Sequence, residues 1–187
     1  ETLGLSGTGT ISGANASVTP YTVTTTGLSL ADGTNGGKAA NYKLTGGTYT
    51  VTINKVALSV TANNDSRDYN GQAYSGGNGV GYSGFVNSET STVLGGTLAY
   101  EGTSQTATDA TTYVITPKGQ TATNYAITYY NGTLTINQKA VSLSGSRDYS
   151  GSANVASTVL TNMTGLIDTE TLGLSGTGTI SGANASV

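Results

Sequence analysis

The chain is 187 residues long with a formal net charge of -3, and only 9% of its residues are charged, against about 25% in an average soluble domain. It contains no Cys, no His and no Trp, which excludes disulfides, Cys/His zinc sites and the Ser-His-Asp and Cys-His arrangements of nucleophilic catalysis. Its seven basic residues are scattered, leaving no electrostatic footprint for nucleic acid or anionic membrane, and no apolar run approaches the roughly 18 residues of a membrane span.

What remains is Thr, Val and Tyr, which suit a pleated, half-buried surface, and abundant Gly and Asn, which suit tight turns. In chain order, Asp32-Gly33 and Asn35-Gly36 mark the first turns. Tyr49, Val51 and Ile53 then alternate with Thr48, Thr50 and Thr52, and Val56, Leu58 and Val60 continue the period of two. Asn70-Gly71 and Asn78-Gly79 follow as turns, and Val86–Leu94 is the best candidate for a single helical turn. Asn124–Tyr129 and Thr133–Ile136, separated by Tyr130-Asn131-Gly132, predict a hairpin. Val141 and Leu143 close the pattern. An all-β chain of small sheets is expected, with a core of Val93, Leu98, Val114, Ile127, Leu134, Ile136 and Val141 in its central part.

Repetition dominates the organisation. ETLGLSGTGTISGANASV runs from Glu1 to Val18 and returns unchanged from Glu170 to Val187, a period of 170 minus 1, or 169 residues. Eighteen identical positions read as one full period plus an overlap, drawn from a longer array. Each period also divides in two. Ser66-Arg67-Asp68-Tyr69-Asn70-Gly71 matches Ser146-Arg147-Asp148-Tyr149-Ser150-Gly151, 80 positions later. Gly84–Thr90 parallels Gly165–Thr171 at an offset of 81, and Asn41-Tyr42 and Thr52-Ile53-Asn54 parallel Asn124-Tyr125 and Thr135-Ile136-Asn137 at 83. Two diverged modules alternate, and the drifting offset reflects loop insertions.

These motifs have relatives. The Arg-Asp-Tyr-(Asn/Ser)-Gly openings resemble the signature of the YDG domain, with Tyr-Asn-Gly and Tyr-Ser-Gly in place of Tyr-Asp-Gly. Ile115-Thr116-Pro117 to Asn124-Tyr125, followed by Tyr130-Asn131-Gly132-Thr133-Leu134-Thr135-Ile136, resembles the closing strands of MBG domains. The resemblance implies small, β-grasp-like modules in long arrays on large bacterial surface proteins, many of the filamentous-haemagglutinin type. It further implies three segments: 1–59 as the C-terminal part of a YDG-like module, 60–144 as a complete MBG-like module, and 145–187 as the N-terminal part of the next YDG-like module.

Little chemistry is legible. The scattered carboxylates give no pair placed for glycoside hydrolysis, and the Gly-rich stretches lack the Gly-Lys-Ser/Thr of a phosphate loop. The chain is therefore expected to carry no catalytic residue and no cofactor. Asn63-Asn64-Asp65-Ser66-Arg67-Asp68 is the densest cluster of oxygen ligands, making Asp65 and Asp68 the metal candidates, but it lacks the spacing of a calcium loop and reads better as turn capping. Arg67-Asp68 and Arg147-Asp148 read as exposed ion pairs, with Tyr69 and Tyr149 each covering the end of a module. Sequons stand at Asn15, Asn64, Asn131, Asn162 and Asn184.

The expected function is that of a structural repeat in a secreted surface fibre, extracellular or on the cell surface, as a stalk or filament-forming unit. The expected partner is the chain itself, head to tail along a fibre axis, with host or biofilm surfaces met through regions outside it. A weak glycan- or matrix-binding module, multiplied by avidity, is the alternative. Subunits that exchange strands and one continuous polypeptide are both compatible with head-to-tail order, and the duplicated segment favours the latter.

Overall fold

The computed structural model describes residues 2–45 and 48–180, so Glu1 and the sequon at Asn184 lie outside the described residues. The chain is all-β. Its strands are β1 (Gly4–Gly7), β2 (Thr10–Ile11), β3 (Tyr21–Thr24), β4 (Leu28–Ala31), β5 (Thr50–Val51), β6 (Val56–Ala62), β7 (Asp65–Asp68) and β8 (Val80–Ser83). They continue as β9 (Gly95–Glu101), β10 (Thr112–Thr121), β11 (Tyr125–Tyr130), β12 (Gly132–Asn137), β13 (Ser142–Ser144), β14 (Asn154–Ala156), β15 (Asn162–Thr164) and β16 (Thr177–Thr179). The described residues contain three short 3-10 turns and no α-helix, so no helix is clasped by a sheet. One of those turns, Ser91–Val93, sits inside the predicted segment and is started by the Thr90 side chain, which accepts from the Thr92 amide.

Two compact units are present, Glu1–Thr61, Gly81–Ala99 and Lys118–Tyr130 in one, and Ala62–Val80, Tyr100–Pro117 and Asn131–Val187 in the other. The first holds the sheets β1-β4 and β2-β3-β5 and nearly all of β11-β6-β8. Its buried centre includes Leu58, Val60 and Tyr125. Phe85 meets the Tyr125 ring edge-on at 5.3 Å. The second holds β13-β15, β14-β16 and most of β7-β12-β10-β9. Its core gathers Ala62, Tyr74, Ala107, Ile115, Leu134 and Ile136, with Tyr69, Tyr100 and Tyr113 packed against it.

The predicted hairpin does not form. β11 runs parallel to β6, Val56 opposite Tyr125, whereas β12 runs parallel to β7, Asp65 opposite Leu134, and antiparallel to β10. Neither Asn131 nor Gly132 has the positive φ that a two-residue Asn-Gly hairpin turn requires. Gly132 serves close approach instead: a Cβ there would lie 2.6 Å from the Ala62 carbonyl oxygen. Both parallel pairs keep one offset, 125 minus 56 and 134 minus 65 each giving 69. The segments 56–68 and 125–137 are thus matched strand for strand.

The predicted core is correct at Leu134 and Ile136, both at most 2% exposed. Leu98 and Ile127 are half-buried. Val93, Val114 and Val141 are exposed, and each misplacement has a physical reason. Val93 lies in the 3-10 turn, outside any strand face. In β10 the inward face is Tyr113, Ile115 and Pro117, so the neighbouring Val114 points out. Val141 precedes β13, which has a partner on one side alone among the described residues.

Candidate functional site

Asp65 and Asp68 stand three positions apart on β7, which places their side chains on opposite faces of the strand. They do not converge. Asp65 accepts from the Ser66 amide and, at 2.8 Å, from the Tyr74 hydroxyl, whereas Asp68 accepts from the Asn137 amide group. Asn63 and Asn64 spend their side chains on backbone, the first donating to the Asn78 carbonyl and the second accepting from the Thr133 amide. The cluster ties β7 to its neighbours, and no group of three metal-ligating side chains is present among the described residues.

The Arg-Asp pairs are not ion pairs. Arg67 instead donates to the carbonyls of Gln72 and Ala107, the latter at 3.2 Å, and its guanidinium lies 5.4 Å from the centre of the Tyr74 ring. Arg147 donates to the hydroxyl of Ser150 and the carbonyl of Ser152. In both copies the arginine therefore reaches the carbonyl five residues on, across a turn held by Gly71 (φ 72) or Gly151 (φ 70). The motif is a turn clamp. Spacing could not reveal this, because the aspartate beside each arginine offered the more obvious partner.

Around that clamp, burial is the main force on Tyr74, with the Asp65 hydrogen bond second, and its hydroxyl is pushed up to about 12 from an ordinary 10.0. A group whose folded pKa lies above its unfolded value contributes stability below pH 10, and that contribution fades as pH rises from 10 towards 12. The melting temperature is expected to drop across that window, and Tyr74→Phe to flatten the drop. An unchanged slope in the variant would assign alkaline unfolding to other tyrosines.

A cavity of about 550 Å³ in the second unit is lined in part by Tyr69, Asp109, Lys139, Ile167, Glu170 and Leu172. Tyr69 donates to Glu170, and that bond holds the hydroxyl above its usual pKa. In the first unit Tyr125 likewise donates to Glu89, with the same direction of shift and the Glu89 bond as the leading cause. Glu89 and Glu170 are equivalent, 81 positions apart, and occupy loops of one geometry: each amide closes a turn onto a carbonyl three residues back, at 3.0 and 2.9 Å. These Tyr–Glu pairs, 36 and 101 residues apart in sequence, were missed by sequence reasoning. Tyr69 packs on the core as expected, but Tyr149 is 69% exposed and covers nothing.

Comparison with known proteins places the centre of the chain. Residues 58–135 match the family model of the MBG domain (YGX type). No curated protein and no solved structure is similar enough to this chain to count as a match.

Proposed function

We propose that this chain, whose residues 58–135 are an MBG domain of the YGX type, is one period of a non-catalytic tandem array that forms the stalk of a secreted bacterial surface fibre. The match to the MBG domain suggests a repeat module of large surface proteins, and the stalk role extends that reading. It is carried by the recurrence of local devices in three dimensions: the arginine turn clamp at Arg67 and Arg147, and the glutamate loop at Glu89 and Glu170. Repeated modules of this kind supply length, while adhesion belongs to regions beyond the period.

A series of chains with one, two, four and eight periods, displayed beneath a fixed adhesive tip, tests this reading. Reach is expected to grow with each period while adhesion levels off once the tip clears the surface. Adhesion that climbs steeply with period number in the absence of a tip would instead make each module a weak glycan or matrix binder.

A further inference from the structure

Four pairs of equivalent residues differ sharply in burial. Leu58 is 1% exposed and Val60 0%, but their counterparts 83 positions later, Val141 and Leu143, are 41% and 37% exposed. Tyr125 is 2% exposed and Leu134 0%, but their counterparts 83 positions earlier, Tyr42 and Val51, are 46% and 40% exposed. The residue types barely differ, so the environment does. In the MBG domain β6 is flanked by β8 and β11, and β12 by β7 and β10. β13, the equivalent of β6, pairs with β15 alone among the described residues. Residues 42–45, equivalent to the start of β11, form no strand, and neither do residues 145–148, equivalent to β7.

We infer that residues 139–148 of one copy form an acceptor edge for residues 42–45 and 48–54 of a second copy, in parallel and in the register the MBG domain displays. Transferring that register puts Val141 opposite Leu44, because Leu58 faces Ile127, and Arg147 opposite Ile53, because Arg67 faces Ile136. Parallel addition at this edge supplies backbone partners to both segments and buries the apolar side chains each now exposes. The pairing deepens the stalk reading, since it specifies how successive periods join, and it rests on the chain being one period of an array.

The chain contains no Cys, so an engineered pair reports register without background. Ser142→Cys and Thr45→Cys sit at exposed positions that the inferred register places opposite one another, as Ser59 faces Thr128. Oxidation of the double variant is expected to give a ladder of disulfide-linked oligomers on a denaturing gel. A mixture of the two single variants is expected to give mainly the mixed dimer. Moving the second cysteine to Lys43, two residues out of register, is expected to cut the yield at least about tenfold, since a disulfide tolerates little separation. Circular dichroism matching the parent chain confirms that each variant is folded. Equal yields at both registers, a disulfide closed within one chain, or a persistent monomer with no ladder would each overturn the pairing. Adhesion plays no part in this readout, so its failure is distinguishable from failure of the stalk reading.

Discussion

Replacing Ile136 with alanine is expected to lower stability by about 2–4 kcal/mol, enough to unfold much of a domain whose total stability is about 5–15 kcal/mol. Ile136 is 2% exposed and packs in the core with Ile115, Leu134 and Tyr74. It is clamped on both sides by backbone, since β12 lies between β7 and β10. Deleting its branch removes the transfer free energy of buried methyl groups and leaves a cavity that two flanking strands resist closing. The same truncation at Val51, the equivalent of Leu134, is expected to cost under about 1 kcal/mol, because that side chain is 40% exposed. Urea denaturation of the two variants checks both values. A loss below about half a kcal/mol at Ile136 would show that the core lies elsewhere.

The second large effect is expected from Gly102→Ala. Gly102 follows β9 at φ +100, a conformation that L side chains rarely adopt, and a Cβ there would lie 2.5 Å from the Val114 carbonyl oxygen. That carbonyl already accepts from the Ser104 amide, so it is not free to move away. Backbone strain and the displaced carbonyl together are expected to cost about 2 kcal/mol or more. Gly76→Ala separates the two causes, since φ there is +83 but nothing lies within 4 Å of a built Cβ. Its cost is expected near 1 kcal/mol, from the backbone alone. Thermal melts of both variants read the difference. Equal losses would mean that the contact with Val114 relaxes without penalty.

Strand content was legible at Thr133–Ile136, where Thr alternates with Leu and Ile in the period of a half-buried strand, and from Val56 to Val60, whereas the alternation at Thr48–Ile53 forms only the short, exposed strand Thr50–Val51. Strand pairing was less so. Asn131-Gly132 carries the dipeptide of a tight hairpin, yet the glycine serves close approach to Ala62, and β11 and β12 belong to different sheets. In β10 two adjacent apolar residues, Val114 and Ile115, left the inward face undecided, and only packing chooses Ile115. Tyr74 and Tyr125 join the interior because Asp65 and Glu89 satisfy their hydroxyls, a condition set by folding rather than by local sequence. The candidate sites followed the same rule. Asp65 and Asp68 were visible as neighbours in sequence, but strand alternation parts them, and the contacts that matter to Glu170 come from 101 residues away.

Internal repetition turned out to be the most informative signal, because it supplies an internal control for every exposed side chain. Tyr42 and Tyr125, or Leu143 and Val60, occupy equivalent positions in one pattern, and their different exposures follow from whether a neighbouring strand is present. Hydrogen exchange on a polypeptide carrying two consecutive periods tests this most directly. The amides of residues 42–45 and 51–54 in the second period are expected to exchange at least about a hundredfold more slowly than those in the first, approaching the protection of residues 125–128 and 134–137. Equal, rapid exchange in both copies would contradict the reading of the chain as one period of a continuous array of interlocked modules.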